Sequence, residues 1–342
     1  LDFASTIAKR GEWTEIVGSI LIPEDTTSAS VYFETGFADD EIIDFYVDDV
    51  IIYKEIAHVD RGELPSLKEV YKDLYSMGVA VTASEIPPDR RELIKEQFNS
   101  LTPGNELKPD SILDHATSIS DPKFDDNPAV DFERVKPILD FAQEANIPVR
   151  GHTLVWHSQT PRWFFTEGYS QSAGAPLVSK ELMLKRMENY INQVLEYTQT
   201  NYPGLIYCWD VVNEAVEDKG DWLLRKSRWL DIMGENFLDV AFRIARELDP
   251  DIKLFYNDYD AVLPHKRDKI YTLVKGMLDR GVPIDGIGIQ GHWNIHDFKL
   301  DDIKAALDKY ASLGLEIHVT ELDVSVYGRE DRETILEAPT AE

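Results

Sequence analysis

The sequence predicts two parts: a small all-β piece over residues 1–57, then an α/β domain of buried parallel strands and helices over residues 58–342. Three observations carry this. Residues 1–57 hold short alternating or β-branched runs separated by turn clusters. From Leu64 onward, apolar runs alternate with amphipathic helical patterns. Polar residues then gather where those apolar runs end.

Composition bounds the class. With 342 residues, 43% apolar and 29% charged, the chain has the balance of a globular protein with a sizeable core. No run of about 18 apolar residues occurs, which excludes a membrane-spanning helix. Sixty-three acidic against 35 basic residues give a net charge of −28, which repels phosphate backbones and anionic lipid heads. Neither nucleic acid nor a membrane surface is therefore expected as a partner; a neutral or cationic one fits. Cys208 is the single cysteine, so there is no intrachain disulfide and no thiolate metal cage. The chain opens at Leu1 without the basic-then-apolar layout of a signal peptide, and Leu1 reads as an internal cut.

The first part contains runs at Glu15 to Leu21, Ser30 to Phe33 and Phe45 to Tyr53, with turns at Pro23-Glu24-Asp25 and Ala38-Asp39-Asp40. That is three or four strands, short of the about seven of a full sandwich. In the second part, predicted parallel strands are Val79–Ala83, Phe98–Thr102, Pro148–Val155, Ile206–Val212, Lys253–Tyr256, Ile284–Ile289 and Glu316–Thr320. Helical patterns run over Val130–Ala145, Ser179–Thr198 and Asn236–Leu248, with weaker ones at His265–Asp279 and Asp301–Tyr310. Ser179 caps its helix, and Leu182, Met183, Met187, Tyr190, Ile191, Val194 and Leu195 give it an apolar stripe. The rhythm fits an α/β barrel or a doubly wound sheet. It stops at seven strands, so a closed (β/α)8 barrel would lack its eighth strand and helix in this chain.

Six consecutive strand ends carry polar groups: Asn105 and Lys108, then His152, Trp156 and His157, then Asn213-Glu214, then Asn257-Asp258-Tyr259, then Gln290 and His292, then Glu321 and Asp323. In a barrel those ends form the active face. Alternation puts Gln290 with His292, and Glu321 with Asp323, on shared faces. Glu214 and Glu321 then face each other across the mouth. Two opposed carboxylates suit glycoside hydrolysis, where one protonates the leaving oxygen and the other attacks the anomeric carbon. Trp156, Trp163, Tyr259 and Trp293 offer flat surfaces for sugar rings, while Asn105, Lys108, Asn213 and Gln290 offer donors for hydroxyls. Blander readings stand beside these. A lone Glu at a strand end is more often a solvated acid, Lys108 reads equally as a surface ion pair, and His157 and His318 read as structural. Trp209, Trp222 and Trp229 read as packing. A metal site of His152, His292 and Asp258 lacks the tight spacing that metal ligands show.

At these residues the sequence resembles glycoside hydrolase family 10, the endo-β-1,4-xylanases. The likeness lies in Arg150-Gly151-His152-Thr153-Leu154-Val155-Trp156-His157, Trp209-Asp210-Val211-Val212-Asn213-Glu214-Ala215 and Thr320-Glu321-Leu322-Asp323, with Asn257-Asp258-Tyr259 and Gly288-Ile289-Gln290-Gly291-His292 in order between them. It spans about Leu64 to Asp323. The resemblance implies a TIM barrel, no cofactor for catalysis, and a retaining mechanism with Glu214 as acid/base and Glu321 as nucleophile. It implies that His292, held by Asp323, hydrogen-bonds Glu321, and that Asn213 binds the 2-hydroxyl of the cleaved sugar. Asn105, Lys108, His152, Trp156 and Gln290 would line the glycone side, with Tyr259 nearer the leaving group. Two departures stand out. The family's Thr-x-Glu-Asn pattern here reads Thr102-Pro103-Gly104-Asn105, with Glu106 a candidate replacement, and the eighth strand with its tryptophan is missing.

Val31-Tyr32-Phe33-Glu34 and Asp44-Phe45-Tyr46-Val47-Asp48-Asp49-Val50 resemble the C-terminal part of a family 22 carbohydrate-binding module. That likeness implies Tyr32 and Glu34 in a sugar cleft and Asp48 or Asp49 near a structural calcium. The plain alternative is a β face with solvated acids. The expectation is a secreted enzyme that cleaves xylan and xylo-oligosaccharides, its oligomeric state unspecified by the pattern. Its rivals are xylan binding without turnover, a retaining β-glucanase or cellulase, and a metal-dependent hydrolase.

Overall fold

The computed structural model describes Ile16 and residues 65–296 and 299–326. The predicted strands of residues 1–57, with Tyr32, Glu34, Asp48 and Asp49, lie outside the described residues. Seven strands build one sheet: β1 (Gly78–Val81), β2 (Ser100–Pro103), β3 (Val149–Trp156), β4 (Ile206–Asn213), β5 (Lys253–Asp258), β6 (Gly286–Ile289) and β7 (Glu316–Val319). They pair in chain order, every neighbouring pair parallel. Helices cross between them, chiefly Pro88–Gln97, Lys136–Ala145, Lys180–Asn201, Phe237–Leu248, Pro264–Asp279 and Leu300–Ala311. This is the βα succession of a barrel, and the doubly wound alternative is set aside because sequential order never reverses.

The strands read as near-continuous apolar runs because helices cover the sheet, and β3 and β4 are buried at seven of eight positions each. The outermost strands differ. β1 and β7 are the two edges of the sheet among the described residues, and only Val81 of their residues is buried. Leu67, Val70, Leu74 and Tyr75 ahead of β1, and Val319, Leu322, Val324 and Val326 at β7, are correspondingly exposed. Edges of this kind are where a parallel sheet would continue.

Helix boundaries follow local chemistry. Ser179 accepts from the Leu182 amide at 3.2 Å and starts Lys180–Asn201, whose Met183, Met187, Tyr190, Ile191, Val194 and Leu195 are buried. The run expected over Val130–Ala145 becomes helical only at Lys136. Pro137 sits in the first turn, where its missing N–H costs nothing, and its ring clashes with a helical carbonyl any earlier. Phe237–Leu248 buries Phe237, Leu238, Ala241, Phe242 and Ala245 on one face, each phenylalanine contributing about 1.5–3 kcal/mol.

Candidate active site

The site forms where β2 to β7 end. Glu214 follows β4 directly, in a left-handed backbone conformation (φ 56°) that a non-glycine residue adopts only when its surroundings hold it. Three hydrogen bonds from successive backbone amides do so. Its own N–H donates to the Asn257 carbonyl at 2.9 Å, and the Ala215 and Val216 amides donate to the Tyr256 hydroxyl at 3.0 and 3.1 Å. Tyr256 in turn donates to Asp258 at 2.5 Å. The carboxylate so placed accepts from the Trp156 indole N–H and the Gln290 amide, both at 2.8 Å.

Glu321 follows β7 and accepts from Asn257 Nδ2 at 2.8 Å and from His292 Nε2 at 3.1 Å, with His152 Nε2 3.9 Å away. Burial raises its pKa, but the His292 bond, the His152 charge and Asn257 outweigh this and leave it below the ordinary carboxylate value. His292 moves the other way. Its bond to Glu321 raises its pKa, burial opposes, Asp323 on Nδ1 at 2.5 Å adds, and the result is about 9. His152 is fixed from behind by Asp210 at 3.0 Å, and Asp210 is held by Arg150 through Nε at 3.1 Å. Burial raises the Asp210 pKa, yet the Arg150 charge and His152 hold it below the ordinary range.

The two acids share one amide cluster. Asn213 lies against Asn257 at 3.0 Å and Gln290 at 3.3 Å, so Gln290 touches Glu214 and Asn257 touches Glu321 across a single buried group. Gly288 makes room for it: a Cβ there would stand 2.2 Å from Asn257 Oδ1. At the cleft rim, Lys108 Nζ sits 5.2 Å from the Trp156 ring and donates to Asn105 at 3.0 Å. Burial lowers the Lys108 pKa, opposed first by the charge of Glu321. On the other side, Tyr259 bonds Asp218 and accepts from Arg225 at 2.5 Å. Asp218 also pairs with Lys266 at 2.5 Å, and despite burial its pKa falls to about 2 through Lys266, Tyr259 and Arg225.

Most sequence-predicted residues converge: Lys108, His152, Trp156, Asn213, Glu214, Gln290, His292, Glu321 and Asp323 form one connected network, and Asn105 joins it through Lys108. Tyr259 stands apart in the Asp218–Arg225 cluster. Four readings are corrected. Trp163 is 7% exposed and packed against His115 and Tyr169, so its ring is core rather than sugar surface. Trp222, read as packing, is 74% exposed. Lys108 pairs with Asn105 and an indole face instead of a surface acid. Glu106 spends its carboxylate on the Ala83 and Asn105 amides at 2.9 and 3.0 Å, so it braces the β1 and β2 loops. Asn257, Tyr256 and the Arg150–Asp210 pair went unassigned at the sequence level. The motif Asn257-Asp258-Tyr259 marked a polar strand end, but strand parity alone could not show which of its members faces Glu321.

Among the described residues no group of three or more His, Cys, Asp or Glu side chains is placed to hold a metal ion. His152 and His292 are occupied by Asp210, Asp323 and Glu321, and Asp258 lies 3.2 Å from Lys266. No helix among the described residues is long and apolar enough to cross a membrane.

Two acids at the strand ends of a parallel βα sheet, linked through one amide cluster, one beside an imidazole cation and one beside neutral amide and indole groups, suit a glycoside hydrolase. Comparison with known proteins gives the family. Residues 66–342 match the description "Glycosyl hydrolase family 10", and the chain belongs to that family. It is 45% identical over 278 residues to "Endo-1,4-beta-xylanase A" of Caldicellulosiruptor saccharolyticus, covering 81% of this chain and 75% of that one. Among solved structures, the endo-1,4-beta-xylanase from Caldicellulosiruptor owensensis superposes with a TM-score of 0.71 at 44% identity, covering 82% of this chain and 79% of that one. The CBM22-1-GH10 modules of Clostridium thermocellum Xyn10B, complexed with xylohexaose, reach a TM-score of 0.69 at 36% identity over 76% of this chain and 53% of that one.

Proposed function

We propose that the chain hydrolyses internal β-1,4-xylosidic linkages of xylan with retention, Glu214 acting as acid/base and Glu321 as nucleophile. The observation that carries the assignment is the asymmetry of partners. Glu321 accepts from His292, which is cationic up to about pH 9, whereas the hydrogen-bond partners of Glu214 are the neutral Trp156 and Gln290. An ionised Glu321 attacks the anomeric carbon while Glu214 gives its proton to the leaving oxygen. The glycosyl–Glu321 ester forms and the departing chain leaves as an alcohol. Glu214, now a carboxylate, takes a proton from water as that water attacks the anomeric carbon and breaks its bond to the Glu321 oxygen, which restores the Glu321 carboxylate. No cofactor enters either step. Asn213 meets the 2-hydroxyl of the cleaved sugar, and Asn105, Lys108, His152, Trp156 and Gln290 line the glycone side.

The test is release of reducing sugar from xylan by the chain and by Glu321→Ala. Turnover is expected to vanish in the variant, and near-normal activity there would sink the assignment. Glu214→Ala is expected to lose xylan hydrolysis yet release one equivalent of phenol from an aryl xyloside in a burst, because an acidic leaving group departs without a proton while the second step, now without its base, is slow. Residues 1–57 are read as the C-terminal part of a family 22 module in which Tyr32 and Glu34 face sugar and Asp48 or Asp49 lies near a structural calcium; the motifs quoted above support this. The polymeric substrate supports secretion, since xylan does not cross a membrane, and detection of the chain in culture medium checks it.

A further inference from the structure

Trp222 is a large aromatic ring 74% exposed, yet the loop that carries it is pinned on every side. The chain leaves the sheet after Glu214 and pairs Val216 antiparallel with Leu224. It turns through Gly220 (φ 65°) and returns so that the Arg225 amide donates to the Ala215 carbonyl at 2.8 Å. Lys269 Nζ donates to the Glu217 and Gly220 carbonyls at 2.9 and 2.8 Å. Asp218 is held by Arg225 at 2.9 Å, by Lys266 and by Tyr259. A mobile tip would need none of these bonds. An exposed indole costs free energy in water, because its apolar area stays hydrated. The structure therefore shows a well-bonded mount for a ring that stays 74% exposed.

We propose that Trp222 is a stacking platform for a sugar ring of the departing chain, beyond the first leaving residue. The placement follows from the chemistry assigned above, on which the inference rests. The acid/base protonates the leaving oxygen, so the departing chain lies on the Glu214 side of the cleft. The 216–224 loop springs from the residue next but one to Glu214, and Arg225 Nε reaches back to the Glu214 carbonyl at 3.3 Å. Tyr259, which the resemblance puts near the leaving group, is tied to this same loop through Asp218 and to its return strand through Arg225. The face of a pyranose carries axial C–H groups, and an indole face covers such an apolar patch with little ordering cost, having only two side-chain torsions. The ligand class is a neutral β-1,4-linked oligosaccharide long enough to reach past the cut.

The experiment compares the chain with Trp222→Ala and Trp222→Tyr on two substrates, nitrophenyl β-xylobioside and xylohexaose. The first has no sugar on the leaving side. For Trp222→Ala, kcat/KM on xylohexaose is expected to fall several-fold, up to about tenfold, while the nitrophenyl substrate is cleaved as before. Trp222→Tyr is expected to recover most of the loss. An equal loss on both substrates would make Trp222 a structural residue and overturn the inference, as would no loss on either. Cleavage of neither substrate by the unaltered chain would instead remove the hydrolase reading and the inference with it.

Discussion

His292 decides the charge state of Glu321, and the sign of each shift sets the pH window. The histidine has a raised pKa, so the contact's contribution is present in full below about 6.5 and is lost as pH rises through about 9. Glu321 has a depressed pKa, so its share is present above about 4.5 and lost as pH falls through its lowered value. Both conditions hold between those limits. With 46% of the His292 side chain exposed, solvent screens the pair, and the consequence lies in titration more than in folding. His292→Gln keeps a donor and removes the cation. The acid limb of kcat/KM is expected to move up by about one pH unit, measured on nitrophenyl xylobioside. A merely structural role would lower the whole profile without moving its limb. Asp258 belongs to the same scale: burial pushes its carboxyl up to about 7 against Lys266 and Tyr256, with the Glu214 charge adding to the rise.

At the scale of elements, the catalytic geometry depends on how closely β5 and β6 approach. Asn257 donates to Glu321 and touches Asn213, and it has room only because Gly288 on β6 lacks a side chain. Gly288→Ala puts a methyl group 2.2 Å from Asn257 Oδ1 and 3.0 Å from Thr320 Cγ2. The amide must swing away, so kcat/KM is expected to fall by at least about tenfold, with a stability loss of about 1–3 kcal/mol. Gly174→Ala, where a Cβ meets nothing within 4 Å, serves as the control and is expected to leave activity unchanged. This dependence also shows what the sequence could tell. The strands were legible because buried parallel strands are apolar throughout, and the glutamates were legible because their strand ends are polar. Gly288 and Tyr256 were not, since their effect comes from atoms on a neighbouring strand that no local pattern specifies. Trp163 and Trp222 exchanged their expected places for the same reason: tryptophan spacing does not distinguish the core of a βα loop from its tip.

At the scale of the whole molecule, the sheet and the charge pull in different directions. Parallel order from β1 to β7 brings the candidate site's side chains to one end, so the site is as rigid as the sheet beneath it. The net charge of −28 is spread over the chain and acts at longer range than any single contact. Xylan itself is neutral, but uronic acid branches carry charge of the same sign as the protein. Repulsion between them fades as ionic strength rises, the screening length shrinking from about 30 Å at 0.01 M salt to about 8 Å at 0.15 M. The KM for uronic-acid-bearing xylan is therefore expected to drop several-fold over that range, while the KM for a neutral arabinoxylan stays level, because only the first encounter opposes like charges. Equal salt dependence for both polymers would place the effect in the enzyme's own stability instead. Lowering the pH toward the isoelectric point of about 4.6 is expected to erase the difference between the two substrates, since the repelling charge is then gone.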